Sequence, residues 1–196
     1  LTLLVSVAFI SCKNEKPKKE VENTEIETVE ETSTTNEAKG DNEAFMVVTE
    51  TSTLNWVGRK PTGSHNGTVG VKEGNLVVAN GNLTGGTITF DMTSITVLDI
   101  PADDESHGKL LGHLKSADFF DVAAHPTSTF VITDVVNGEE TMVKGDLTIK
   151  GVTKSIEFPA TLKAAEDSVL LIAEGFKVDR TEFGIEYKST KFFDNL

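Results

Sequence analysis

The chain has 196 residues and carries 18 Lys and Arg side chains against 31 Asp and Glu, so its formal net charge is −13. This acidic balance argues against nucleic-acid binding, which needs clustered basic side chains to displace counterions from phosphates. The single cysteine excludes a disulfide scaffold and a cysteine-rich zinc site, and no apolar run reaches the ~20 residues of a membrane-spanning helix.

The first residues form an apolar run that ends at the only cysteine. Residues 1–10 are too few to cross a bilayer and are followed by Ser11 and Cys12, so residues 1–11 are interpreted as a signal-peptide remnant. A small residue directly before this cysteine resembles the lipobox of bacterial lipoproteins. The resemblance implies that Cys12 is lipidated and anchors the protein to the bacterial cell envelope, on the periplasmic face or the cell surface. The alternative is an ordinary signal peptide with a chance cysteine.

Residues 12–43 begin at the expected lipidated cysteine and continue as an acidic linker rich in threonine. A segment with so few apolar residues cannot bury enough surface to offset the entropy of ordering, which predicts a disordered tether. Some thirty residues span ~30 Å on average and ~100 Å when extended. This reach would hold a folded domain clear of a membrane surface.

Residues 44–196 form the predicted folded domain, and their pattern is that of β-strands. Residues 87–93 alternate cleanly, which places Ile88, Phe90 and Met92 on one face. Turns are predicted at Asn66-Gly67, at residues 73–75 and at Asn137-Gly138. Even spacing of strands and turns predicts an all-β domain whose antiparallel sheet closes on itself. The other strand patterns are residues 45–56, 76–78, 127–135, 141–149, 154–158 and 168–178, the last being apolar on both faces.

One segment interrupts the strands with a helical pattern. Leu110, Leu111 and Leu114 recur at helical spacing, and Ser106 is a candidate N-cap behind acidic residues that favour a helix start. We therefore predict a short helix over residues 105–115. A turn over residues 117–121 should then present two phenylalanine rings to the core, so the helical insertion covers residues 105–121.

No residue pattern in the chain indicates catalysis or a metal centre. The sequence has no G-x-S-x-G nucleophile elbow, and Cys12 is assigned to the anchor. Residues 103–105 and His107 could gather around an ion, but they lack the spacing of known zinc and calcium motifs. Acidic residues at a helix start also complement the helix dipole. We therefore expect no enzyme activity, no cofactor and no metal site.

Four motifs, present together and in order, resemble the YceI-like family. They are residues 113–121 (HLKSADFFD), 125–130 (HPTSTF), 143–154 (VKGDLTIKGVTK) and 180–185 (RTEFGI). The region around Trp56 and residues 63–67 is similar to the opening strands of that family, so the resemblance covers roughly residues 46–196. It implies a lipocalin-like antiparallel β-barrel of about eight strands around an elongated apolar tunnel. Family members continue into a closing strand, so we expect the C-terminal strand to be truncated.

The resemblance also implies the ligand, a polyisoprenoid or a related long-chain amphiphile. Each buried five-carbon isoprene unit would contribute up to ~4 kcal/mol, so three or four units would offset association costs of ~4–15 kcal/mol. A polar head group would contact His113, His125 or Arg180. The predicted ligand-binding residues are the inward side chains of the strands and the helical insertion: Trp56, Ile88, Phe90, Met92, Leu114, Phe119, Phe120, Phe130, Ile132, Leu147, Ile149, Phe158 and Phe176.

The sequence thus predicts a protein that binds or transports a long-chain amphiphile in a barrel tunnel at the cell envelope. Its expected partners are a hydrophobic small molecule, such as an isoprenoid or fatty-chain lipid, and the membrane reached through Cys12. No nucleic-acid partner is expected, and the oligomeric state stays open, a homodimer included. Two alternatives remain: a non-catalytic envelope interaction module with a filled barrel, and a metal-dependent enzyme.

Overall fold

The computed structural model describes residues 2–13, 42–60, 62–138 and 140–187. Nine strands and one α-helix make up most of this described part. Short 3-10 turns follow two of the strands, at Met92–Ser94 and Arg180–Phe183. The main elements are β1 Thr2–Lys13, β2 Glu43–Val47, β3 Thr53–Lys60, β4 Gly63–Ala79, β5 Asn82–Asp91, α1 Glu105–Lys115, β6 Thr127–Val136, β7 Thr141–Ile149, β8 Val152–Ala164 and β9 Ser168–Asp179.

The strands form one antiparallel sheet that closes into a barrel of eight strand positions. From β3 to β9 each strand pairs with the next along the chain, and β1 lies between β3 and β9. The short β2 shares the position of β3, because it also pairs with β1 and β4 but at the other end of the barrel. The predicted all-β antiparallel barrel with a short helical insertion is confirmed.

The N-terminal apolar segment contributes backbone to the barrel wall. The β1 residues from Thr2 to Cys12 pair with β9, and Cys12 lies opposite Ser168. This pairing does not test the interpretation of residues 1–11 as a signal-peptide remnant, which stays a prediction. Most of the predicted linker, residues 14–41, lies outside the described residues, as does any closing strand beyond residue 187.

Alternation of side chains along the strands builds the core. The predicted inward face of β5 is confirmed, since Ile88 and Phe90 are buried and Met92 follows them into the interior. On β7 every second residue is buried, from Thr141 to Ile149. The interior of the barrel is therefore lined by apolar side chains from successive strands.

Two of the predicted turns are wrong. Asn66-Gly67 and residues 73–75 lie inside β4, and glycine is needed there because another strand or segment approaches closely. An ideal Cβ on Gly74 would lie 2.8 Å from the carbonyl oxygen of Thr87 on β5. A shift in the β4–β5 register just before this glycine marks the same irregularity.

The observed hairpin turns carry the backbone geometry expected of such turns. The turn that ends β4 is Asn80-Gly81, with φ angles of 52° and 76°. Positive φ at both positions is the requirement of a type I′ turn, which Asn-Gly satisfies at low cost. The predicted turn at Asn137-Gly138 is confirmed, because it connects β6 to β7.

A bulge in β9 resolves which of its two apolar faces points inward. Val169, Leu171 and Ala173 are buried in the first half of the strand. Gly175 then adopts a φ of 72°, and the buried positions change parity to Val178. One left-handed residue therefore moves the inward face from odd to even positions.

The helix α1 has the predicted bounds but a different N-cap. Asp104 is the cap, since its carboxylate accepts a hydrogen bond of 2.7 Å from the backbone N–H of Ser106. The prediction of Ser106 as N-cap is wrong because Asp104 already has extended backbone and reaches the free N–H of the first turn. The hydrogen bonds from Ser106 also hold the pKa of Asp104 below its usual range.

The chain between β5 and α1 continues alongside the first half of β4. The backbone N–H of Thr96 donates to the carbonyl of Thr68 at 2.9 Å, and that of Leu98 donates to Asn66 at 2.8 Å. Residues 94–99, the 94–99 segment, therefore extend the pairing with β4 beyond the end of β5.

Asp99 anchors the end of the 94–99 segment to β4. Its Oδ1 accepts from the backbone N–H of Asn66 at 2.9 Å, and its Oδ2 lies 2.8 Å from Nδ1 of His65. Partial burial raises the pKa of Asp99, but the hydrogen bonds from Asn66 and His65 outweigh it, so the pKa lies below its ordinary value.

The substitution Asp99→Asn is expected to lower the melting temperature at pH 7 and much less at pH 3. Because the pKa of Asp99 is lower in the folded than in the unfolded chain, the ionised carboxylate stabilises the fold above about pH 4. This contribution disappears as the pH falls through the folded pKa. Thermal unfolding at both pH values measures the difference, with the exposed Asp103→Asn as control. An equal loss at both pH values would contradict a role for the charge.

Candidate ligand-binding cavity

The barrel encloses an apolar cavity. Its volume is about 70 Å³, inside a wider space of about 820 Å³ between the lining side chains that includes open solvent at the mouth. Eighteen described residues line it, drawn from strands β3 to β9, the turn after β5 and the turn after α1: Leu54, Trp56, Val69, Ile88, Phe90, Met92, Ile95, Phe120, Ser128, Phe130, Leu147, Ile149, Ile156, Phe158, Leu171, Ala173, Phe176 and Val178.

Most of the predicted ligand-binding residues lie in this lining. Leu114, Phe119 and Ile132 do not, although all three are buried. Leu114 is the buried residue of α1, and Ile132 lies further along β6 than the cavity reaches. Contact of any of these residues with a ligand stays a prediction. The ten that line the cavity are Trp56, Ile88, Phe90, Met92, Phe120, Phe130, Leu147, Ile149, Phe158 and Phe176.

The sequence interpretation missed eight lining residues. Leu54 was detectable, because it lies two residues before Trp56 on the same strand and so shares its face. The three residues from β9 were hidden by the bulge at Gly175. Ile95 gives no local signal, since its inward position depends on the pairing of the 94–99 segment with β4. The missed residues are Leu54, Val69, Ile95, Ser128, Ile156, Leu171, Ala173 and Val178.

Three phenylalanine rings limit the width of the cavity. Phe158 stacks on Phe176 with ring centroids 4.4 Å apart and an interplanar angle of 16°. The ring centroid of Phe130 lies 5.4 Å from that of Phe158. No guest fits between rings at these distances. A chain-like ligand would therefore lie beside the aromatic row, along the aliphatic side chains of the remaining strands.

The described lining is almost free of polar atoms. Ser128 is buried, and its Oγ donates to the carbonyl of Thr148 at 2.6 Å, so its proton is already engaged. The indole Nε1 of Trp56 is also buried, and no hydrogen-bond partner for it exists among the described residues. No charged side chain occurs among the described lining residues.

The three predicted head-group residues lie outside this lining. His113 and Arg180 both contact Phe119, with a ring centroid distance of 5.6 Å for His113 and a guanidinium carbon 5.2 Å from the ring centre for Arg180. Phe120 lines the cavity and packs edge-on against Phe119 at 4.9 Å, so His113 and Arg180 contact a ring that is itself absent from the described lining. His125 instead lies against Gly151 in the turn between β7 and β8.

The guanidinium group of Arg180 is bound to main chain. The side chain is buried, and its terminal nitrogens donate to the carbonyl oxygens of Ile185 and Tyr187. Burial lowers the pKa of Arg180, partly offset by the nearby charge of Asp179. These contacts hold the chain after the 3-10 turn against the barrel, and Nε has no hydrogen-bond partner in the described part of the chain.

Neither a spanning helix nor a metal cluster is present within the described residues. No helix there has the length and apolar character needed to cross a membrane. The same residues bring no three His, Cys, Asp or Glu side chains together as ion ligands. The expectations of no metal and no cofactor stay predictions.

Comparison with known proteins identifies the family. The family model described as "YceI-like domain" matches residues 45–195. The chain belongs to the YceI-like family. Protein YceI of Escherichia coli O157:H7 is 38% identical over 85 residues, which cover 39% of this chain and 44% of that protein. A UPF0312 protein of Pseudomonas aeruginosa (strain LESB58) is 36% identical over 86 residues, covering 40% and 43%. The match thus spans less than half the length of each of these two curated relatives.

Solved structures also align with this chain over most of its length. A crystal structure of the Campylobacter jejuni YceI protein aligns with a TM-score of 0.45 at 16% identity, covering 91% of this chain and 92% of that one. The crystal structure of Burkholderia cenocepacia BcnA aligns with a TM-score of 0.36 at 12% identity, covering 89% and 96%.

Proposed function

We propose that this YceI-like protein binds a long apolar amphiphile, a polyisoprenoid or related lipid, in the barrel cavity and performs no reaction on it. The observation that carries the proposal is the apolar lining contributed by seven strands, with no charged side chain among its described residues. Proteins with a YceI-like barrel are in general binding proteins. Acid–base and nucleophilic chemistry need titratable groups at the bound molecule, and the described lining supplies none of these.

The energetics of such a site depend on apolar contact. Each isoprene unit removed from water contributes up to ~4 kcal/mol, while association costs ~4–15 kcal/mol. Three or four buried units therefore give useful affinity without a strong head-group contact. The open space at the centre of the barrel favours this function over that of an interaction module with a filled barrel.

The proposed location is the bacterial cell envelope, with Cys12 as the lipid anchor. This part of the proposal rests on the apolar run that precedes Cys12 and the small Ser11 beside it. An amphiphile carrier held at a membrane surface has its source or its acceptor within reach of the tether. Transport, storage and sensing of the lipid are all compatible with that placement.

A cavity-filling substitution tests the proposed function. Ala173 is 1% exposed and lines the cavity, so Ala173→Phe should place a ring in the space that the ligand needs. We expect the affinity for farnesol, an isoprenoid alcohol of three units, to fall by more than about tenfold, which corresponds to ~1.4 kcal/mol. Titration followed by the emission of Trp56, the only tryptophan, measures binding at the cavity itself.

The matched control is Thr161→Phe, which adds the same ring to the exposed face of β8 next to β9. Its farnesol affinity should equal that of the wild type. Small-to-large changes in a core cost ~1–3 kcal/mol, so the melting temperature of each variant is measured first. If Ala173→Phe does not fold, Ala173→Leu is the smaller replacement. Equal binding by folded Ala173 and Thr161 variants, or no binding by the wild type, would contradict the proposed function.

A further inference from the structure

The cavity has to widen before it can hold a chain-like guest. Its volume is about 70 Å³, whereas small-molecule sites typically enclose ~300–1,000 Å³. Packed protein interiors do not expand gradually, so the extra space requires one element of the barrel wall to move as a unit. The strand with the fewest covalent constraints is the one that moves with the smallest loss of other contacts.

The first strand, β1, can leave the barrel while the pairings among all other strands stay intact. Its main neighbours are β3, through residues 53–58, and β9, through residues 168–179. Residues 14–42 connect β1 to β2, whereas only two residues connect β3 to β4, β4 to β5 and β7 to β8. A strand in such a short hairpin cannot depart without disturbing its partner, and no short hairpin joins β1 to a neighbour.

The two strands that flank β1 both line the cavity. Leu54 and Trp56 contribute to the lining from β3, and Leu171, Ala173 and Val178 contribute from β9. Within the described residues, β3 and β9 do not pair with each other. Departure of β1 would therefore separate two lining strands and open a slot along the side of the barrel.

The pairing of β1 with β9 is interrupted near its middle. The register shifts between Val5 and Val7 of β1, where β9 carries the bulge at Gly175. A bulge disrupts the hydrogen-bond ladder locally and leaves a residue unpaired. The ladder that holds β1 is thus divided into two short stretches, which is typical of an element that opens before the rest of a fold.

The proposed lipid anchor lies in the same strand. Ser11 and Cys12 pair at the same time with β2 and with β9. In the lipobox interpretation, cleavage before Cys12 makes this cysteine the first residue of the anchored protein. That cleavage separates residues 2–11 from the domain, so anchoring and closure of the barrel by the whole of β1 exclude each other.

We propose that β1 is a detachable strap: the barrel is closed while β1 lies between β3 and β9, and its departure opens a lateral slot through which the amphiphile enters the cavity. The entry route rests on the proposed function, because it needs a guest. The movement of β1 itself can be measured without one.

Hydrogen exchange in the full chain tests this movement alone. If β1 detaches as a unit, its amides and those that β3 and β9 donate to it should exchange at least about tenfold faster than the amides between β7 and β8. Equal exchange in the two groups would mean that the barrel opens only by global unfolding and would overturn the strap. Fast exchange of β1 with full protection of β3 and β9 would overturn the slot, because another segment would then fill it.

A disulfide across the pairing of β1 with β9 tests the entry route. Cys12, the only cysteine, is first replaced by Cys12→Ser. Leu4→Cys and Lys177→Cys then place two thiols at opposed positions of the ladder. Oxidation should slow the uptake of farnesol by more than about tenfold, because binding would wait for an opening that the crosslink prevents. Reduction should restore the rate, and Trp56 emission follows the uptake.

The matched control is a crosslink that does not involve β1. Lys144→Cys and Glu157→Cys are opposed across β7 and β8, and both positions are exposed. Their oxidation should leave the uptake rate unchanged. If the Leu4 and Lys177 variant does not oxidise, Ile10→Cys with Leu170→Cys replaces it, because these positions are opposed in the same ladder.

The outcomes separate the strap from the proposed function. Equal uptake by the oxidised and reduced β1–β9 variant would overturn the lateral entry route while the proposed function stands. If the reduced variants and the wild type take up no farnesol, the proposed function fails and the entry route fails with it. Hydrogen exchange then still decides whether β1 detaches.

Discussion

The substitution Gly67→Ala is expected to lower the free energy of unfolding by about 3 kcal/mol, near the upper end for an overpacked site. The added Cβ would overlap the carbonyl oxygen of Thr96 and lie 2.7 Å from Cζ2 of Trp56. One of these contacts is backbone, so rotation of a side chain cannot relieve it. The 94–99 segment would have to move away from β4 and lose the backbone hydrogen bonds that hold it there.

Chemical denaturation of the variant measures this loss. The control is Gly85→Ala on β5, because an ideal Cβ on Gly85 meets no atom within 4 Å. That substitution should change stability by less than about 0.5 kcal/mol. Trp56 emission gives a second readout, since relief of the overlap at Gly67 displaces the indole. Equal stability of the two alanine variants would contradict the close packing of Thr96 and Trp56 over this glycine.

The same glycine shows where sequence interpretation fails in this fold. Asn66-Gly67 is a typical turn dipeptide, and local rules assign it to a hairpin. The glycine is instead required by Thr96, which lies 29 positions along the chain and reaches it through tertiary pairing. Gly74 lies at a similar close approach to Thr87. The residues next to a glycine do not indicate which distant backbone segment will pack against it. Such positions can therefore be recognised only in the structure.

Strand faces were predictable where alternation is simple. Ile88 and Phe90 on β5, and Leu147 and Ile149 on β7, line the cavity as their period of two indicates. On β9 the bulge at Gly175 interrupts the period. A sequence apolar on both faces gives no sign of that interruption, so its inward residues could not be assigned.

Adjacent aromatic residues were a second limit of the sequence. Phe119 and Phe120 have the same chemistry, and both were expected in the ligand site. The turn after α1 places Phe120 in the cavity lining and Phe119 against His113 and Arg180 on the far side. That division depends on the backbone of the turn, so the sequence could not separate the ring that lines the cavity from the ring that contacts His113 and Arg180.

The substitution Arg180→Met is expected to destabilise the fold by about 2 kcal/mol, because a buried carbonyl left without its donor costs ~1–3 kcal/mol and a second, part-buried carbonyl also loses its donor. The two carbonyls belong to Ile185 and Tyr187, and both receive hydrogen bonds from the same guanidinium group. Relief from burying a cation offsets part of the loss, since methionine occupies a similar volume without charge. Arg180→Lys should be destabilising too, because a compact ammonium cannot reproduce the planar fork that reaches both oxygens.

This substitution also decides between two roles for Arg180. If Arg180 anchors the main chain, Arg180→Met lowers the denaturation midpoint and leaves the ratio of farnesyl monophosphate affinity to farnesol affinity unchanged. If Arg180 instead binds the head group, Arg180→Met lowers that ratio about tenfold or more, which is the effect expected when an anion loses a charged partner. Arg59→Met is the control, since Arg59 is exposed on β3 and its replacement should alter stability by less than about 0.5 kcal/mol. Arg180 is absent from the cavity lining and both of its terminal nitrogens already donate to main-chain carbonyls, and for that reason we expect the first outcome. A drop in the affinity ratio at unchanged stability would instead place the head group at Arg180.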